Sequence, residues 1–264
     1  MLEIKKITKI FNAGTVNEKV ALNKLSLTLE DGDFVTVIGG NGAGKSTLLN
    51  AVAGTYPVDA GNIVIDGVDI TKLPEHKRAK FIGRVFQDPM VGTAADMWIE
   101  ENMALAMQRG KCRDLSWSIK PSDRKLFKEQ LARLDLGLED RLSTKVGLLS
   151  GGQRQAITLL MAAMNHPKLL LLDEHTAALD PKTAAKVLEI TREIVEEEKL
   201  TTIMITHNMK DAIAHGNRLI MMNAGRIILD IKGEEKKKLT VEDLLKAFAN
   251  AGSDGAANDR MLLI

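Results

Sequence analysis

Cysteine is almost absent from this chain: Cys112 stands alone in 264 residues. A single thiol can form neither an intramolecular disulfide nor a cysteine metal cluster, which fits a reducing compartment. Aromatic residues are scarce as well, at 3%, and Tyr56 is the one tyrosine. A base-stacking surface for single-stranded nucleic acid is therefore not expected. Long apolar runs are missing. The longest, Ala156 to Met164, contains Thr158 and falls far short of the roughly 18–20 residues a membrane-spanning helix needs. The N-terminus, Met1-Leu-Glu-Ile-Lys-Lys, is charged and has no apolar signal core behind it. Neither sign of charge dominates, because 36 Lys and Arg against 35 Asp and Glu leave a net charge of +1. Such a balance gives no electrostatic footprint for nucleic acid or an anionic membrane surface. The chain is expected to stay on the side of the membrane where it was made, with any membrane role supplied by a partner. What it does have is apolar mass, 45% of residues, in a length that suits one large domain with a subdomain.

Hydrophobic patterning predicts an α/β fold. Leu25, Leu27 and Leu29 alternate with Ser26, Thr28 and Glu30, the period of a half-buried antiparallel strand. After the turn Asp31-Gly32-Asp33, the run Phe34–Ile38 is nearly all apolar, as in a strand buried on both faces of a parallel sheet. Further strands are predicted at Ile63–Ile65, Ile82–Phe86, Leu169–Leu172, Thr202–Ile205 and Leu219–Met222. Helices are predicted at Ser46–Ala53, Asp123–Leu136, Gly152–Asn165 and Lys182–Lys199, the last opened by Asp180-Pro181. Strand–helix alternation predicts a parallel core sheet. The span from about 88 to 165 has few strand signals and reads as an inserted α-helical subdomain, behind an N-terminal antiparallel β subdomain. The run Lys236-Lys237-Lys238 reads as a solvated turn, and residues 251–264 as a flexible tail following a domain over 1–250.

Two motifs carry chemistry. Gly39, Gly40, Asn41, Gly42, Ala43, Gly44, Lys45 and Ser46 fit the pattern G-x-x-x-x-G-K-[ST] between a buried strand and a helix. Glycines let successive backbone N–H groups turn inward as an anion nest, and the helix N-terminus adds its dipole. Lys45 is expected to reach the β- and γ-phosphates of ATP, with the Ser46 hydroxyl on Mg²⁺; Thr47 follows in the same turn. The second motif is Leu169–Leu172 ending in Asp173 and Glu174, two carboxylates at the carboxyl end of a buried strand, where ligands bind in open α/β sheets. Asp173 suits a Mg²⁺ site, and Glu174 can deprotonate an attacking water. Alternation along an extended backbone would turn the Glu174 carboxylate away from Asp173 and toward that water.

Leu149-Ser150-Gly151-Gly152-Gln153 narrows the reading, since Ser150 and two glycines ahead of a helix make another phosphate-binding N-terminus. With one Lys-bearing loop and two such ends, the second end is read as serving another copy's nucleotide. The sequence resembles the ATP-binding subunits of ABC transporters over about residues 2–232. That resemblance implies further roles. Phe11 resembles the aromatic residue that stacks on adenine, and Val20 the small apolar residue beside it. Gln87, in Val85-Phe86-Gln87-Asp88-Pro89, resembles the glutamine that contacts Mg²⁺ and the water and senses the membrane partner. Ala178-Leu179-Asp180 looks like the loop that crosses the dimer interface, and His207 like the switch histidine on the γ-phosphate. The resemblance implies a P-loop NTPase that closes as a homodimer around two ATP, drives permease subunits embedded in the membrane, and serves a substrate-binding protein indirectly. It also implies a cytoplasmic position, peripheral on the inner face of the membrane.

The sequence departs from that family's pattern in places. His175 replaces the usual proline after the catalytic glutamate, Ala177 the usual serine, and Thr158–Met164 an Arg-rich helix. The form Asp-Glu-His-Thr-Ala-Ala-Leu-Asp resembles a branch of bacterial uptake systems that includes aromatic amino-acid importers. Two other readings stay open: an export or lipoprotein-extraction system, and an ABC ATPase of cofactor assembly with no membrane partner. The segment Asp96–Asn102 resembles the lining of a permease groove, so an exposed Trp98 would favour a transporter. The length after residue 232 leaves no room for a C-terminal regulatory domain, so none is expected.

Overall fold

The computed structural model describes residues 1–111 and 119–251. Cys112 lies outside them, and so does the expected tail apart from Ala251. Chain order runs β1 (Leu2–Phe11), β2 (Lys19–Leu29), β3 (Phe34–Ile38), α1 (Lys45–Ala53), β4 (Ala60–Ile65), β5 (Val68–Asp69), α2 (Glu75–Arg78), β6 (Ile82–Val85), α3 (Ile99–Met107), α4 (Pro121–Ala132), α5 (Gly151–Ala163), β7 (Leu169–Asp173), α6 (Pro181–Glu197), β8 (Thr202–Ile205), α7 (Met209–Ala214), β9 (Arg218–Asn223), β10 (Arg226–Lys232), α8 (Glu234–Lys237) and α9 (Val241–Ala251).

Two sheets result. An antiparallel sheet has the order β2-β1-β4-β5, and a larger one the order β10-β9-β3-β8-β7-β6, parallel except for the β9–β10 pair. The apolar runs explain the parallel core. β3 and β8 are buried along their whole length, and β7 up to Leu172, so both faces of each strand need cover. Val35, Val37, Leu169, Leu171, Ile203 and Ile205 pack toward α1 and the antiparallel sheet. Phe34, Leu170, Leu172 and Met204 pack with α5, α6 and the helices of 99–132. In β2 the predicted alternation holds, with Leu25, Leu27 and Leu29 buried and Ser26 and Thr28 exposed.

The strand order positions the site. β3, β8, β7 and β6 are parallel neighbours, so their carboxyl ends open side by side. From them run the glycine loop, the segment to His207, the Asp173-Glu174 turn and the segment to Gln87. The described part of 88–165 contains α3, α4, a 3₁₀ turn at Val146–Leu148 and α5, with strand pairing there limited to an isolated Trp98–Lys145 bridge. Among the described residues no helix is long and apolar enough to cross a membrane.

Two expectations need correction. The helix predicted to reach Leu136 stops at Ala132, because Asp135 takes a left-handed φ of 53° and Gly137 one of 63°. Leu134 and Leu138 are still buried, so apolar periodicity outlasts the helix. Lys236 is not in a solvated turn. It is 2% exposed, and its ammonium donates to the carbonyls of His215 and Gly216 just beyond α7. Burial pushes its pKa down to about 8. A long apolar stem lets lysine reach carbonyls from within a core, which a charge-run reading cannot detect.

Candidate functional site

The glycine loop is shaped by close approaches. At Gly44, with φ 100°, a Cβ would sit 2.5 Å from the Ala21 carbonyl oxygen. At Gly39 it would sit 2.3 Å from that of Met222, so neither position accepts a side chain. Lys45 is buried and folds back over its own loop, its Nζ donating to Gly39 O at 2.8 Å and Gly40 O at 3.2 Å. α1 opens at Gly44 with no side-chain cap and no acidic residue in its first turn. Its leading N–H groups are thus left for an anion.

Across the sheet end, Asp173 closes β7 and its Oδ1 accepts from Ser46 Oγ at 3.4 Å. Burial, then the neighbouring Glu174 carboxylate, holds the Asp173 carboxyl above its usual range. A hydroxyl and an acidic carboxylate facing each other are hard oxygen donors, the chemistry Mg²⁺ prefers, and a cation there would offset the crowded negative charge. The donor set therefore fits Mg²⁺. Glu174 is not part of an extended run, as strand alternation supposed. Its φ is 48°, and its N–H donates to Ile205 O at 3.1 Å. That left-handed turn, not alternation, brings Glu174 Oε1 to 2.6 Å from His207 Nε2. The carboxylate accepts, so the imidazole carries its proton on Nε2.

Phe11, Lys19, Ala21, the loop from Asn41 to Thr47, Gln87, Glu174 and His207 line one cleft of about 370 Å³. Gly39 and Gly40 stand behind it as acceptors for Lys45. The Phe11 ring meets Tyr56 edge-on at 5.3 Å. Val20 does not line this cleft and is 42% exposed, because β2 turns residue 20 to the face opposite Lys19 and Ala21. Lys19 is a residue that motif reading missed. It pairs across the strands with Phe11, and its Nζ stands 3.1 Å from where a Cβ of Gly42 would be, over the phosphate loop. Strand register between Phe11 and Lys19 was the available signal. The Gln87 segment is held from two sides: Gln155 Nε2 donates to Phe86 O at 3.3 Å, and the Arg84 guanidinium lies 4.4 Å over the Phe86 ring. Arg84, its pKa lowered by burial, is bound to Asn50 and Thr55.

The Ser150 end has the expected local form and lies outside the phosphate-loop cleft. Ser150 Oγ accepts from Gln153 N at 3.3 Å, and Gln153 Oε1 from Ser150 N at 3.2 Å. Gly152 packs so tightly on α6 that a Cβ would lie 2.0 Å from Thr183 Cγ2, and one at Gly151 would meet Leu179. Gly152 thus has a packing role within the chain, while Gly151 is exposed and meets only the end of one leucine side chain at 3.3 Å. None of Ser150, Gly151, Gly152, Gln153 or Asp180 lines the phosphate cleft. Asp180 caps α6 through Thr183 N at 3.1 Å, and its hydrogen bonds to Thr183 hold its carboxyl below its usual range. A second groove, about 1020 Å³ and lined by Thr176, Ala177, Pro181 and Arg192 among others, shares Glu174 and His207 with the first.

His175 is 2% exposed, and burial lowers its pKa to about 4. Its Nε2 lies 3.0 Å from Thr191 Oγ1 on α6. Trp98 opens α3 with 43% of its surface exposed, its backbone N–H donating to Glu101 Oε2 at 2.7 Å. Leu148, 74% exposed, is brought near by bonds from Val146 N to Met97 O and from Gly147 N to Ala95 O.

Residues 22–177 match the ABC transporter family. The chain is 45% identical over 251 residues to a tyrosine transport ATP-binding protein of Clostridioides difficile, covering 95% of this chain and 100% of that one. It is 33% identical over 230 residues to a spermidine/putrescine import ATP-binding protein of Haemophilus ducreyi, covering 87% of this chain but 57% of that longer relative. A solved ATP-binding cassette, dimeric in a post-hydrolysis state with ADP and Pi, superposes with a TM-score of 0.74 at 29% identity. It covers 88% of this chain and 98% of its own.

Proposed function

This chain belongs to the ABC transporter family as an ATP-hydrolysing subunit, and we propose that it powers uptake of an amino acid, aromatic by preference, through closure of an ATP-bound homodimer. One observation carries the dimer: the Ser150–Gln153 helix start does not line the cleft formed by the phosphate loop, Gln87, Glu174 and His207. A nucleotide in that cleft is completed by the same segment of a second copy, so closure is favoured only while the γ-phosphate joins both halves. Dimeric packing in the solved cassette supports this reading, and the tyrosine-transport relative supports the substrate class.

Within one cleft the roles divide by chemistry. Lys45, Lys19 and the N–H groups of α1 hold the phosphates. Ser46, Asp173 and Gln87 would hold Mg²⁺, which supplies charge neutralisation at the phosphate oxygens when bound. Glu174 takes the proton of the attacking water. His207 orients the Glu174 carboxylate through its Nε2 proton and faces the γ-phosphate. Phe11 stacks on adenine, a contact worth about 1–3 kcal/mol where base stacking has been measured. Phe11→Ala is accordingly expected to raise the Kd for ATP roughly 5- to 150-fold, with hydrolysis retained at saturating nucleotide. Equilibrium titration with a fluorescent ATP analogue checks it, and an unchanged Kd would make Phe11 a packing residue.

The exposed Trp98 and Leu148 favour a transporter over an ATPase with no membrane partner. Both project from segments joined by backbone hydrogen bonds, and a surface that gathers large apolar side chains suits docking. The chain then sits in the cytoplasm against the inner face of the membrane, held by a permease that receives solute from a binding protein. Trp98→Ala is expected to leave ATP binding intact and to lose transport-coupled turnover. Deleting the gene in its own cells tests the substrate: uptake of labelled tyrosine should fall, while methionine and spermidine uptake should not. Unaltered uptake of every aromatic amino acid would overturn the substrate assignment.

A further inference from the structure

The residue after Glu174 has an arrangement that hydrolysis alone does not account for. Thr191 is 1% exposed, and its hydroxyl donates to Val187 O at 2.7 Å, one turn back on α6. With its single proton committed there, Thr191 Oγ1 can only accept from His175 Nε2 at 3.0 Å. The imidazole proton is therefore on Nε2. Nδ1 is left as a buried lone pair with no partner among the described residues, an arrangement a core would not select for packing alone.

What the bond does follows from its place in the chain. α6 is anchored in the core by Val187, Ile190 and Ile194. Glu174, one residue before His175, has the left-handed φ of 48° that an L residue with a side chain rarely takes. Such a conformation persists only when its surroundings hold it. On one side the turn is held by Glu174 N to Ile205 O at 3.1 Å, and within itself by Ala177 N to Glu174 O at 3.0 Å. His175 is the side-chain tether on the other side. We propose that the His175–Thr191 hydrogen bond is a positioning device for catalysis, pinning the turn to α6 so that the Glu174 carboxylate stays against His207. The idea rests on Glu174 being the base of the proposed mechanism. It assigns His175 no contact with substrate.

The test is a double-mutant cycle in steady-state ATP hydrolysis by the full chain. Thr191→Val keeps shape and removes the acceptor; His175→Leu removes the donor; His175→Gln places an amide N–H near the position of Nε2. A loss of catalytic-base alignment lowers kcat by roughly 10- to 100-fold, with KM for ATP within about twofold. The expected pattern is that Thr191→Val and His175→Leu each lower kcat, that the double variant is no worse than either, and that His175→Gln recovers most of the rate. In a Glu174→Gln background, His175→Leu should have no further effect. Unchanged kcat in Thr191→Val, additive losses, or a shift in KM without kcat would overturn the tether. A Glu174→Gln enzyme with native turnover would instead overturn the base assignment itself, whatever the tether variants do.

Discussion

Glu174→Gln is expected to lower MgATP turnover by about 10²–10⁴-fold, the usual contribution of a general base, while ATP binding is kept. Gln matches the shape of Glu and can still meet His207 Nε2 through its amide oxygen, but it cannot accept a proton from water. The substitution also removes one of the two adjacent carboxylates at the end of β7, where Glu174 is a charge that raises the Asp173 pKa. Repulsion toward the γ-phosphate falls with it, so nucleotide should dissociate more slowly than from the native chain. Phosphate release measured against equilibrium nucleotide binding separates the two effects. A variant that hydrolyses ATP at the native rate would remove Glu174 from the mechanism.

Lys45→Ala is expected to act earlier, on binding. The Lys45 ammonium is the cation held inside the loop, and a hydrogen bond to a charged group is worth about 1.5–3 kcal/mol. ATP affinity should therefore fall by roughly 10- to 150-fold. Gly39 O and Gly40 O also lose the donor that now closes the loop over them, so circular dichroism must establish that the variant stays folded. Isothermal titration with ATP reads the loss. Affinity within twofold of the native chain would mean that Lys45 serves only to brace the loop.

Much of this site was legible because its chemistry is written in contiguous residues. The phosphate loop, Asp173-Glu174 and His207 each follow an apolar run, and the strand order brings the three runs side by side. Residues whose placement depends on register or on a side chain's reach were not legible. Val20 and Lys19 differ by one position on β2, and only pairing with Phe11 decides which of them lines the cleft. The Glu174 carboxylate reaches His207 through a left-handed turn that strand periodicity cannot anticipate. Gly151 and Gly152 read as phosphate-binding glycines, yet the close approach of Thr183 gives Gly152 a second reason within the chain. Lys236, read as solvated, is buried with its ammonium on two carbonyls beyond α7. Local pattern specifies elements, and long side chains and tight contacts are settled by what folds against them.

Completion of one copy's cleft by the Ser150–Gln153 segment of a second copy is read from the molar mass of Glu174→Gln in MgATP. Size-exclusion chromatography with light scattering should give twice the mass of one chain with MgATP and the mass of one chain with MgADP. Adding Ser150→Arg to the same variant should return the ATP-bound species to a single chain while leaving its own cleft able to bind nucleotide. A Glu174→Gln protein that binds MgATP yet stays at the mass of one chain, or a dimer indifferent to both nucleotide and Ser150→Arg, would rule out closure through this segment.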